Sequence, residues 1–143
     1  MEQDTIRLLR ECDAGIKMGV TSINDVLPNV HSATLRGRLE TGREDHEDLQ
    51  LEVQTLLKTY GEEGKDPNPM AKGMSKMKTG VKMAVNETDF TAADLITDGC
   101  NMGVKTLSRY LNQYPAANEQ SKEITRRLIR VEEQMAVDMR AFL

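Results

Sequence analysis

The sequence predicts an all-α fold, a single domain over residues 1–143 built as a bundle of four long helices with a long connection at its middle. Three observations predict it. Ala, Leu, Met, Glu, Lys and Gln are abundant and β-branched runs are few, a composition that favours helix. Apolar residues recur at steps of three and four through four separate stretches. Residues 61 to 88 stand between the second stretch and the third, where a simple up-down-up-down bundle would need only a short turn. At 143 residues the chain can bury a core without staples. Aromatics are 3% of the chain and Trp is absent, so aliphatic and Met side chains must fill the interior.

Helix one is expected from about Asp4, a plausible N-cap, to Leu27, stopped by Pro28. Its stripe is Ile6, Leu9, Ile16, Val20, Ile23 and Leu27, with Asp13 on the same face. Ser32 can cap a second helix that runs to Tyr60, with Gly61 as a C′ residue. Leu35, Leu39, Gly42, His46, Leu49, Val53, Leu56 and Tyr60 form its stripe, which makes His46 an inward residue. "GEEGKDPNP" (61 to 69) breaks the chain, and Asn68 before Pro69 starts a shorter helix over 69–84. That helix carries Met70, Met74, Met77 and Val81 on one face and Lys72, Lys76, Lys78 and Lys82 around the other. Thr91 with Asp94 resembles a capping box, with Asp89 an equally good cap, for a helix over 90–114. Its stripe is Ile96, Cys100, Val104, Leu107, Leu111 and Tyr114. Asn118 can cap the last helix, to about residue 142, striped by Ile124, Leu128, Val131, Met135, Asp138 and Phe142.

The connection selects among bundle topologies. Helices of this size are roughly 36 Å long, and residues 61 to 88 can run about that distance as a short helix with extended flanks. Helices two and three are therefore expected to point the same way. That is an up-down-down-up bundle with one crossover, as in ferritin-like folds. A weak repeat fits the two-hairpin layout. Shifting the chain by 88 residues lays Cys12 on Cys100, Gly15 on Gly103, Ile16 on Val104, Lys17 on Lys105 and Asn24 on Asn112.

The formal charge of −4 argues against a general nucleic-acid binder, whose footprint would be basic. No apolar stretch approaches a membrane span, and "MEQDTIRLLRECDAGIK" is too charged for a signal peptide. Cys12 and Cys100 lie far apart within helical patterns, which suits reduced core thiols in a cytoplasmic protein.

The stretches "LRGRLETGREDHEDLQLEVQTLLKTYGEEGKDPNPMAKGMSKMKTGVKMAV" and "GCNMGVKTLSRYLNQYP...RRLIRVEEQMAVDMRAFL" carry a family resemblance that spans nearly the whole chain. The chain resembles the small ferritin-like bacterial proteins classed as a domain of unknown function. In that pattern a helix with Arg and His near its middle is followed by a break, a short Gly-containing helix, and a helix in which acids precede a Tyr. The resemblance implies the ferritin-like fold. At "GCNMGVK" this chain departs from the pattern, which carries acids there.

Metal chemistry can be judged by counting ligands. A di-iron bundle takes one Glu from each of two helices and a Glu-x-x-His from each of the other two. Asp13, His46 and Glu132 are the candidate metal ligands here. Arg43 stands three residues before His46, where a Glu is required, and Glu44 and Glu47 lie off the stripe. Asn101 is the repeat partner of Asp13, and Glu132-x-x-Met135 lacks the His. The competing expectation is a buried polar pair: taking the Pro turn as midpoint, Asp13 and His46 fall at equal height and hydrogen-bond.

Gly15/Gly19 and Gly99/Gly103 each cost on the order of 1 kcal/mol relative to Ala, so close packing, a dimer interface or a small cavity is implied. The Met-Lys helix reads as a crossover with an apolar underside and solvated lysines. Neither cysteine has a CxxC partner, which leaves His46 as the candidate base for a core thiol, and the other histidine, His31, lies in the helix-one turn, so Ser-His-Asp catalysis has no support. The function expected is that of a ferritin-like bundle without a complete di-iron site, non-enzymatic, with no cofactor, acting through a homodimer or an unidentified protein partner. The alternative is an iron-binding oxidoreductase or metal-storage protein using Asp13, His46 and Glu132.

Overall fold

The computed structural model describes residues 2–67 and 88–143. Among them the chain is all-helical: α1 (Glu2–Val26), a 3-10 turn (Leu27–Asn29), α2 (Ala33–Thr59), α3 (Asp89–Gln113), α4 (Glu119–Met139) and a closing 3-10 turn (Arg140–Phe142). The expected helix over 69–84 lies outside the described residues. No helix among the described residues is long and apolar enough to cross a membrane.

Local chemistry sets the helix ends. Ser32 Oγ accepts the Leu35 N–H at 3.2 Å, and Asn118 Oδ1 accepts the Ser121 N–H at 2.9 Å, so both N-caps fall where the sequence puts them. Gly61 takes φ 69°, the left-handed conformation that ends a helix without a Cβ clash. α3 departs from expectation. Thr88 Oγ1 accepts the Thr91 N–H at 3.0 Å, so Thr88 is the cap, and Asp89 and Thr91 are helical residues behind it.

Each hairpin packs α1 on α2 and α3 on α4, and across the bundle α1 meets α3 and α2 meets α4. Hydrogen bonds show which ends meet. The N–H groups of His31 and Ser32, just before α2, donate to the Asp89 carboxylate at 2.8 and 3.0 Å. At the far end, Ala116 and Asn118 N–H groups donate to Asp4 Oδ2 and Thr5 Oγ1 at 3.2 and 2.9 Å, and Asn118 Nδ2 donates to the Tyr60 hydroxyl at 3.3 Å. So α2 and α3 start at one end and finish at the other, the direction expected from the long connection.

The core is two apolar clusters separated by a polar layer. Ile23, Val26, Leu35, Leu39, Ile96 and Met139 pack at the α2–α3 starting end. Leu9, Ile16, Leu49, Val53, Leu107 and Leu128 pack at the other. Burying each Leu or Ile stabilises the fold by about 1.5–3 kcal/mol, and these clusters supply the main driving force. Between them each helix contributes one residue: Gly19, His46, Gly103 and Glu132.

Candidate functional site: a buried His–Glu layer

His46 is 1% exposed and Glu132 is 7% exposed. Nε2 of His46 lies 2.6 Å from Glu132 Oε1, and Nδ1 lies 2.7 Å from the Gly42 carbonyl oxygen four residues back. The carbonyl can only accept, so Nδ1 carries a proton and donates. The contact between Nε2 and Oε1 holds a second proton, joining α2 to α4 by a charge-assisted hydrogen bond. Burial alone would lower the His46 pKa; the hydrogen bond and charge of Glu132, together with the Gly42 carbonyl, outweigh it and raise the value.

The glycines explain how two large polar groups fit in a bundle core. A Cβ on Gly19 would lie 2.8 Å from His46 Nε2, and one on Gly103 would lie 3.3 Å from the Glu132 carboxyl carbon. A Cβ on Gly42 would lie 2.6 Å from Met135 Sδ. The first helix of each hairpin therefore carries glycine where the pair fills the space. Gly15 and Gly99 are different, for an added Cβ there meets nothing within 4 Å among the described residues. Only half of the glycines singled out in the sequence belong to the layer.

Cys100 also adjoins Glu132. Burial, then the Glu132 charge and hydrogen bond, push its thiol far up. Cys12, with Sγ 3.2 Å from Thr125 Oγ1, is pushed up to about 12, burial being the main cause. A nucleophilic cysteine needs thiolate, and both environments disfavour it.

Asp13 does not face His46; this corrects the expected pairing. Asp13 is fully buried, paired with Lys17 Nζ at 2.8 Å, and accepts the Lys65 N–H at 3.0 Å and Gln54 Nε2 at 3.4 Å. The reason lies in the hairpin. Leu27–Asn29 carry the chain past the end of α1 before it turns, so α2 descends from a higher start. Gly19, six residues and about 9 Å along α1 from Asp13, comes opposite His46 instead. Asp13 anchors the segment leaving α2. A Cβ on Gly64 would come 2.1 Å from its Oδ2, so that segment needs glycine to approach. Lys65 Nζ pairs with Glu11, and Lys17 Nζ reaches Asp66 at 3.3 Å.

The other positions in the ligand count also have roles. Arg43 donates to Asn24 Oδ1 at 2.8 Å and pairs with Glu47 at 3.7 Å on the α1–α2 surface. Asn101 is exposed, and Met135 is buried against Gly42. Of the three candidate ligands, the structure brings His46 and Glu132 together and places Asp13 elsewhere. Among the described residues no three His, Cys, Asp or Glu side chains gather in a metal-holding arrangement. Gly19, Gly103 and Cys100 also belong to this site, although none of them is a carboxylate or imidazole ligand. The signal for the first two was there, since each is a mid-helix glycine retained against its cost. No protein-family model matches the chain, and neither a curated protein nor a solved structure matches it.

Proposed function

We propose that the chain is a ferritin-like, up-down-down-up bundle of the bacterial kind it resembles, non-enzymatic and cytoplasmic, acting by self-association or by binding a protein partner. One observation carries this reading. The His46 and Glu132 atoms that would ligate a cation bond to each other and to Gly42, which supports a structural polar layer. The donor set does not fit a di-iron centre, which needs about four carboxylates and two imidazoles around one cavity. Asp13 is committed to Lys17 and to the Lys65 main chain. The acidic net charge of −4 weighs against nucleic acid.

Light scattering across micromolar to millimolar concentration tests the reading. A dimer is the expected result, and a monomer throughout, with no protein captured by the intact chain, would refute it. A second reading, iron-dependent redox chemistry or storage, draws on His46 and Glu132 standing on facing helices. Metal analysis of protein purified without chelator, then re-supplied with iron, separates the two. One or two irons per chain, lost in His46→Ala and Glu132→Ala, would favour the second.

A further inference from the structure

The two hairpins make reciprocal contacts, in a register about one helical turn off the offset of 88 in the sequence. In the first turn of α1, Asp4 and Thr5 accept main-chain N–H groups from the α3–α4 turn. In the first turn of α3, Asp89 accepts main-chain N–H groups from the α1–α2 turn. Each hairpin closes the other's turn in the same manner. The middle layer repeats the relation, with a glycine from each first helix and a polar side chain from each second helix. The offset of 88 would set Gly15 against Gly103; the glycine in the layer is Gly19, one helical turn along. In its contacts the bundle resembles a dimer of two hairpins fused through residues 61 to 88, and residues 64–66 of that link are held on α1.

A second copy of the chain presents the same two surfaces. We propose that the chain self-associates by exchanging hairpins: residues 2–67 of one copy pack against residues 88–143 of another, so that His46–Glu132 and Glu52–Arg127 form between chains. The proposal rests on the self-association reading and gives it a mode. Among the described residues, the hydrogen bonds between hairpins are remade in the exchanged pair, so exchange strands no group that pairs across the hairpins in the closed chain. The balance with the closed monomer then depends on chain concentration against the effective concentration of the linked hairpins.

The half-exposed Glu52–Arg127 pair, bidentate at 2.9 and 2.7 Å, supplies the test. Glu52→Arg and Arg127→Glu each place like charges together when the chain closes on itself. In an exchanged mixed dimer both interfaces are matched: one keeps Glu52 with Arg127, and the other joins the introduced Arg to the introduced Glu with the charges reversed, whereas a closed chain or a dimer of one variant repeats the like-charge contact. The two full-length variants are unfolded, mixed in equal amounts and refolded at high concentration. The expected product is a mixed dimer of twice the 16.0 kDa chain, taking nearly all of the dimer where random pairing would give it about half, and more urea-resistant than either parent. A mixture that behaves as the sum of its parents overturns the proposal. A wild-type dimer without preferential mixing removes exchange and leaves self-association standing; a wild-type monomer at every concentration removes both. A parent that folds only in the mixture supports exchange, and one that folds in neither condition overturns it.

Discussion

Replacing Gly19 by Ala tests the polar layer directly. In an ordinary helix the change gains about 1 kcal/mol. Here the new methyl would lie 2.8 Å from His46 Nε2 and 3.0 Å from its Cδ2, inside the ~3.5 Å of ordinary contact. The ring cannot retreat without loss, because Gly42 and Glu132 hold both nitrogens. Overpacking costs about 1–3 kcal/mol, and a strained charge-assisted hydrogen bond forfeits part of another ~1.5–3 kcal/mol. The helix gain offsets some of this, leaving a net loss of about 1–4 kcal/mol. Gly15→Ala and Gly99→Ala are the controls. Their methyls meet nothing within 4 Å among the described residues, so each should gain up to about 1 kcal/mol. Urea unfolding followed by circular dichroism measures all three, and about 1 kcal/mol should move the thermal midpoint by about 3 °C in a chain of this size. Were Gly19→Ala as stabilising as Gly15→Ala, the packing of His46 against α1 would be refuted.

His46→Leu alone leaves Glu132 buried without its partner and should cost about 3–5 kcal/mol, whereas His46→Leu with Glu132→Leu should lie much closer to wild type; a double variant as unstable as the single would count against a paired layer. The same comparison followed against pH has a defined sign. Because the folded His46 pKa is raised, the pair's contribution is fully present below the ordinary value of about 6.5 and is lost as pH rises through the elevated folded value, so a stability gap that widens with rising pH would contradict it. Gly64→Ala, whose Cβ would collide with buried Asp13, should destabilise by about 1–3 kcal/mol, and equal stability would show that residues 62–67 do not dock as described. Both thiols should resist a disulfide reagent at neutral pH until the protein unfolds, and rapid labelling of native protein would show the burial to be wrong.

Periodicity and capping made most of the architecture legible. The Ser32 and Asn118 caps, the Gly61 terminus and the inward face of His46 all follow from local chemistry that one sequence carries. The common direction of α2 and α3 followed from chain length, because a long connection can return along a bundle and a turn cannot. The Asp13–His46 pairing was not legible, because it required the vertical offset between two helices. That offset depends on how Leu27–Asn29 prolong α1, a matter of turn geometry rather than of apolar spacing. The choice of Thr88 over Asp89 as cap is likewise decided in three dimensions, where Asp89 is drawn to the main chain of His31 and Ser32.

The position of the polar pair argues for a role in register. The clusters on either side are aliphatic, and such surfaces tolerate a slide of one turn with modest loss. His46 and Glu132 do not tolerate it. Moving α4 by one turn against α2 would set His46 opposite Leu128 or Met135 and strand Glu132 among apolar side chains, at a cost of several kcal/mol. The same slide would bring a side chain to the space beside Gly103, and a matching slide of α1 would do so beside Gly19. A buried ion pair adds little net stability over a well-packed apolar pair, yet it penalises every other alignment heavily. Two mid-helix glycines, each costing about 1 kcal/mol, leave the space that this alignment fills: a Cβ on Gly19 would press on the His46 ring, and one on Gly103 would crowd the Glu132 carboxylate.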